Sequence, residues 1–151
     1  MKIAIQYADF DVGAELALLR AGRPESGAVV SFIGTVREMS SSGTVQQMTL
    51  EHYPGMTEIA LTDIGQRAMS RWDILDVVII HRIGNLNATD QIVLVAATGR
   101  HRHAVFNACE FMMDYLKTEA PFWKKEAGST GTHWVDARQE DVAALRRWEL
   151  T

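Results

Sequence analysis

What the chain lacks narrows the field. It has one cysteine in 151 residues, Cys109. A single thiol excludes an internal disulfide framework and a cysteine-rich metal site. No apolar run is long enough to span a bilayer, and the opening Met1-Lys2-Ile3-Ala4-Ile5-Gln6-Tyr7 is too short and polar for a signal peptide. A cytoplasmic, membrane-free protein is the expectation. Positive charge is not in excess: the net charge is −4, which argues against a general nucleic-acid binder. Any attraction for anions must then be local. No repeat, low-complexity tract or linker divides the chain, so one domain over residues 1–151 is expected.

What is present reads as strands and helices without strict alternation, which suggests the α+β class. Lys2 to Tyr7 is a strand. Asp9 or Asp11 caps a helix that uses Val12, Leu16 and Leu19 and ends at Gly22. Ala28 to Val36 is a β-branched strand interrupted by Gly34, a sign of a bulge or close approach. Arg37 stands just after it. Glu38 to Thr44, with three serines and a glycine, reads as a mobile loop. Val45 to Tyr53 is a strand ended by Pro54-Gly55, and a helix capped by Thr57 runs to Trp72. Val77–Ile80 and Ile92–Ala97 are continuous apolar runs that suit strands buried on both faces, with Gly84–Asp90 as a hairpin connection. A helix with Val105, Cys109, Met112 and Leu116 on one face follows Arg100-His101-Arg102-His103. The last helix covers roughly Asp141 to Trp148.

The most informative stretch is Met112 to Glu126. Pro121 donates no N–H and pushes Ala120 away from helical angles, so the helix should stop near Lys117 or Thr118. Phe122 to Glu126 then alternates, with Lys124 on one face and Trp123 and Lys125 on the other. Trp134-Val135 is expected to pair back on Phe122-Trp123. Lys117 and Lys124 thus flank a rigid turn. A lysine is ordinarily a solvated surface charge. Crowded by aromatics and a second cation, it can lose its proton more easily, or stay charged and stabilise a developing anion.

Other candidates are weighed the same way. The Arg100–His103 run is either a solvated charge run or an anion site at a helix N-terminus. His101 and His103 lack carboxylate or cysteine partners with ligand spacing, which disfavours a metal. Arg37 is a phosphate clamp or a strand-end charge. Cys109 falls on an apolar helix face and reads as an inert thiol. His52, His81 and His133 read as structural, and the tryptophans as core or interface residues. On residues alone, basic groups at three separated places could converge on an anionic ligand, and no reaction follows.

Several stretches resemble the catalytic (large) subunit family of molybdopterin synthase. They are Leu50-Glu51-His52-Tyr53-Pro54-Gly55-Met56-Thr57-Glu58, His81-Arg82-Ile83-Gly84, His101-Arg102, Met113-Asp114-Tyr115-Leu116-Lys117 and Ala120-Pro121-Phe122-Trp123-Lys124-Lys125-Glu126. The resemblance covers the chain from the Ala28 strand to Trp148. It implies an α/β hammerhead fold with a mixed, largely antiparallel sheet, and a homodimer. A small ubiquitin-like sulfur carrier docks at each end, giving a heterotetramer. Two carrier molecules in turn each deliver one sulfur, from a C-terminal thiocarboxylate, to cyclic pyranopterin monophosphate, forming a dithiolene. The resemblance makes Lys117 and Lys124 catalytic. It makes Thr35, Val36, Arg37, His101, Arg102, Lys125 and Glu126, with both lysines, substrate contacts, and brings Arg138 towards the pocket. No resident cofactor or metal is implied. The chain departs from the family pattern before His101, where Thr98-Gly99-Arg100 stands and members commonly carry a serine. That departure concerns the phosphate pocket, not the lysines.

Overall fold

The computed structural model describes residues 1–40, 43–128, 131–135 and 139–150. The first sheet has the order β1-β5-β7-β2, built from β1 (Lys2–Gln6), β5 (Asp76–Arg82), β7 (Gln91–Gly99) and β2 (Ala28–Thr35). β1 runs parallel to β5, and the other pairs are antiparallel. The two apolar runs are its central strands. Val77, Ile79, Val93, Val95 and Ala97 face a core shared with helices α2 (Met56–Arg71) and α3 (Arg102–Glu119). Val78, Ile80, Leu94 and Ala96 face Phe10 and Leu19, at and beside helix α1 (Val12–Arg20). A strand covered on both sides has no use for a polar alternation, which is why these runs are continuous.

The second sheet has the order β3-β4-β8-β9, formed by β3 (Met39–Ser40), β4 (Gly43–His52), β8 (Phe122–Gly128) and β9 (Gly131–Val135). β6 (Gly84–Asn87) also pairs with β4. Helix α4 (Gln139–Glu149) closes the chain. It returns to α3 through Trp148, whose Nε1 donates to Asp114 Oδ2 at 2.7 Å, and through Arg147, whose Nη2 donates to the same oxygen at 3.0 Å. No helix among the described residues is long and apolar enough to cross a membrane. Among the described residues, four helices and two sheets make the mixed α and β class expected from the sequence.

Several local expectations are corrected. β5 and β7 do pair antiparallel, yet the segment between them is not a plain hairpin turn, because β6 leaves the first sheet and joins the second. The Glu38–Thr44 stretch contains β3, which pairs with the start of β4. β9 pairs Trp134 with Lys125 and Val135 with Lys124, two residues further along β8 than expected. Asp11, not Asp9, caps α1, through Oδ1 and the Ala14 N–H at 3.0 Å. The N-cap of α2 is Gly55 rather than Thr57. Its φ of 86° is open to glycine at little cost, and its N–H donates to Glu58 Oε2 at 2.6 Å. α3 runs to Glu119, with Ala120 extended before Pro121. The proline therefore acts through the residue before it, as expected, but one or two positions later.

Candidate functional site

Strand alternation assembles most of the site. Register places Phe122 opposite His52, Lys124 opposite Leu50 and Glu126 opposite Met48. Opposed residues share a face, so these six side chains line one side of the second sheet. Trp123 and Lys125 point to the other side, opposite Glu51 and Thr49. Lys124 Nζ lies 3.7 Å from Glu126 Oε1, with the lysine side chain 32% exposed and the glutamate 4%. That separation is an ion pair rather than a hydrogen bond. A buried carboxylate thus steadies an ammonium whose other side is open.

The Thr35-Val36-Arg37 segment reaches the same face. Register slips between Gly34 and Thr35, and a Cβ on Gly34 would stand 2.8 Å from Val93 Cγ1. The missing side chain lets β2 press on β7 before it turns away. Val36 then packs on Met48, Leu50 and Leu86, leaving Thr35 and Arg37 exposed on either side of it. The Val36 N–H donates to Asp90 O at 2.9 Å, and its carbonyl accepts from the Thr89 N–H at 2.8 Å.

Lys117 belongs to the opposite end of this face. It sits exposed in the last turn of α3. Its charge acts on the imidazole of His81, which is buried and stacked on Phe122 at 3.8 Å between centroids and 17° between planes. Burial drives the His81 pKa down to about 4, and the positive charges of Lys117 and His52 push the same way. His81 Nδ1 lies 2.8 Å from the Arg82 carbonyl. A carbonyl only accepts, so Nδ1 carries the proton and Nε2 the lone pair.

The turn between the lysines is held by Thr57. Its buried hydroxyl donates to Pro121 O at 3.0 Å and accepts from the Tyr53 N–H at 2.9 Å. Thr57→Val fills the same volume without either bond. It should lower the unfolding free energy by about 1–3 kcal/mol, read from urea denaturation.

His101 and Arg102 are not part of this cluster within one chain. His101 caps the start of α3, and Arg102 and Lys117 stand at opposite ends of that helix. Fifteen helical steps separate them by about 22 Å. The sheet agrees, because β7 pairs Gln91 with Thr35 at one end and Gly99, just before the Arg100–His103 run, with Ala28 at the other. Of the three basic places read from the sequence, two meet in one chain and the third lies at the far end. Arg138 lies outside the described residues. Cys109 is buried, its thiol donates to Val95 O at 3.5 Å, and burial raises its pKa to about 12, so it is unsuited to carrying sulfur. Among the described residues no three His, Cys, Asp or Glu side chains gather as a metal site would need.

Comparison with known proteins bears directly on this arrangement. The family model described as MoaE protein matches residues 5–119. The chain belongs to the MoaE family. A molybdopterin synthase catalytic subunit from Ralstonia nicotianae is 61% identical over 148 residues, covering 98% of this chain and 84% of that protein. Among solved structures, a molybdopterin biosynthesis MoaE protein from Burkholderia ambifaria is 55% identical, with TM-score 0.85 and 99% of both chains covered. The molybdopterin synthase of Staphylococcus aureus aligns with TM-score 0.81 at 30% identity, covering 87% of this chain and 95% of that one. The matched MoaE segment includes the bulged β2, the His81 strand, all of α3 and Lys117, while Lys124 and Glu126 lie just beyond it.

Sequence reasoning passes over two residues that pack around the lysine turn. His81 and Thr57 were given structural or capping roles. Their signal was present in the uninterrupted His81-Arg82-Ile83-Gly84 and Leu50-to-Glu58 stretches, but the partners, Phe122 and Pro121, are distant in sequence.

Proposed function

We propose that this MoaE chain is the catalytic subunit of a cytoplasmic molybdopterin synthase. It transfers two sulfurs, one from the C-terminal thiocarboxylate of each of two small ubiquitin-like carrier molecules in turn, to cyclic pyranopterin monophosphate. The observation that carries this reading is the shared face of β8, with Lys124 and Glu126 at one end, Lys117 at the other, and the Arg37 segment packed beside it.

The chemistry asks for cations at two places. A thiocarboxylate is anionic, and Lys117 at the exposed end of α3 guides it in. Attack of its sulfur on the pterin side chain forms a C–S bond, and water then releases the carrier as a carboxylate. Negative charge builds on the oxygen being displaced, and a fixed ammonium at Lys124 stabilises it and supplies a proton. Arg37 offers a planar fork of donors to the substrate phosphate. His101 and Arg102, about 22 Å from Lys117 along α3, serve the site of a second copy, which makes the homodimer the working unit. Lys125 faces away from Lys124 and contacts substrate only from the rim.

An apolar surface borders the Lys117 end. Tyr53, Met56, Ile59 and Trp123 are exposed, and the Tyr53 and Trp123 rings lie 6.3 Å apart. A patch of this kind suits a protein partner. Ile59→Asp should weaken carrier binding at least about tenfold by calorimetry, with no loss of thermal stability, since Ile59 is 67% exposed.

The test of the reading is direct. Purified protein is mixed with the pyranopterin monophosphate and thiocarboxylated carrier, and the dithiolene product is followed as its oxidised fluorescent derivative. Product is expected. A carrier that binds without any product forming would leave a binding protein in place of a synthase.

A further inference from the structure

The turn that joins β6 to β7, Asn87-Ala88-Thr89-Asp90, has no part in the mechanism above. We propose that Thr89 and Asp90 are positioning residues, whose turn grips Val36 from both sides and so fixes where the Thr35–Arg37 segment meets the substrate phosphate. The inference rests on the sulfur-transfer reading and adds two residues to it.

The first observation is strain. Thr89 has a φ of 76°, alone in positive φ among the described residues other than glycine. A β-branched residue adopts that region at a cost, and such strain persists only where the surroundings over-determine the backbone. The Thr89 side chain is exposed, so the fold holds its backbone conformation and not its side chain. The turn is closed by the Asp90 N–H, which donates to Asn87 O at 3.0 Å, and by Asp90 Oδ2, which accepts from the Asn87 N–H at 2.8 Å.

The second observation is where the closed turn aims its free backbone groups. The Thr89 N–H donates to Val36 O at 2.8 Å, and Asp90 O accepts from the Val36 N–H at 2.9 Å. Holding both polar groups of Val36 fixes the peptide planes on either side of it. One of those planes contains the nitrogen and Cα of Arg37. Only the torsions of Arg37 itself then remain between the grip and its guanidinium.

The third is what the turn hangs from. Leu86 and Asn87 pair with Met48 and Gln47 of β4, and Met48 pairs with Glu126 of β8. A continuous ladder therefore runs from the strand of Lys124 to Val36, and it sets the spacing between the lysine face and the Arg37 segment. On the other side β7 skips Ile92 between the partners of Gly34 and Thr35, a bulge that re-aims the end of β2. A turn that only joined two strands would gain nothing from gripping Val36 and would favour glycine at position 89.

The experiment measures binding, so it needs no catalysis. Cyclic pyranopterin monophosphate and the carrier are each titrated into the full-length protein by calorimetry. Thr89→Pro removes the N–H and the positive φ together. Asp90→Ala removes only the carboxylate that closes the turn, and covers the case in which Thr89→Pro folds poorly. Each should weaken pterin binding roughly tenfold and leave carrier binding unchanged. Thr89→Gly keeps the φ and the N–H and should restore wild-type affinity. In an Arg37→Ala background Asp90→Ala should cause no further loss. Wild-type pterin affinity in a folded Asp90→Ala variant overturns the proposal. So does a Thr89→Gly variant as weak as Thr89→Pro, or an equal loss of carrier binding, which would mark general damage to the fold. Wild-type protein that binds no pterin at all removes the sulfur-transfer reading, and the proposal with it.

Amide hydrogen exchange reads the grip itself. The Val36 N–H should exchange about tenfold faster in Asp90→Ala, while that of Val95 in the centre of β7 keeps its rate. An unchanged Val36 rate refutes the dependence of the grip on this turn, whatever the affinities.

Discussion

Lys124→Ala should reduce sulfur transfer by about 10²- to 10³-fold, the loss typical of removing one fixed donor to a developing negative charge. The size of the effect follows from the setting. The ammonium is held on a strand flanked by β4 and β9, opposite Leu50 and Val135. Its partner Glu126 is buried and lies behind it at 3.7 Å, so the charge is in place before substrate arrives. Preorganisation of this kind is lost whole when the side chain goes, because the β4 residues facing this end, Leu50 and Met48, carry no charge. Lys125 cannot substitute, since the pleat points it to the other side. The variant also leaves Glu126 without this cation, so some stability is lost and rates must be compared per folded molecule. Steady-state kinetics should show the loss in kcat, with KM for the carrier changed much less. Lys117→Ala should show the converse weighting if, as proposed, Lys117 guides the carrier's tail.

Acid should destabilise the fold well above the ordinary carboxylate range. His81 has a pKa of about 4 when folded, against 6.5 ordinarily, chiefly because it is buried. Above pH 6.5 both folded and unfolded chains hold it neutral, and it contributes no pH dependence. As pH falls below 6.5 the unfolded chain takes up a proton that the folded one refuses, so stability drops until about pH 4. The full window corresponds to roughly 3 kcal/mol. Asp9, Glu58 and Asp76 act lower down. Their folded pKa values lie below the ordinary ones, so the stability they contribute is lost only as pH falls through and beneath the carboxylate range. Urea denaturation at pH 7 and pH 4.5 separates the two contributions. His81→Phe should flatten the upper window and leave the lower one unchanged.

Much of this was legible in the sequence where the cause is local. Val77–Ile80 and Ile92–Ala97 announced the central strands because burial on both faces leaves no polar positions. Gly34 marked a bulge because a side chain there would collide with Val93. Pro121 ended α3 through Ala120, and alternation alone set Lys124 apart from Lys125. The features that escaped depend on pairing between distant segments. β6 joins β4 instead of its sequence neighbours, and nothing in Gly84–Asn87 states that preference. β9 slipped by two residues, a shift that keeps each side chain on its face and so leaves no trace in a polar–apolar pattern. Thr57 reads as a cap until Pro121 is found beneath its hydroxyl. His101 and Arg102 looked ready to join the lysines because the sequence carries no distances. The length of α3 separates them within one chain.

The central claim is that sulfur transfer occurs where one chain's lysine face meets the start of α3 from another. Complementation between two inactive variants tests it most directly. Lys124→Ala and Arg102→Ala are purified separately, mixed under conditions that exchange subunits, and assayed with thiocarboxylated carrier. Each alone should be nearly inactive. After random exchange half of the dimers are mixed, and each mixed dimer keeps one site with both residues intact, so about a quarter of the wild-type rate should return. A mixture that exchanges subunits, confirmed by mass, yet stays as inactive as its components would contradict the shared site.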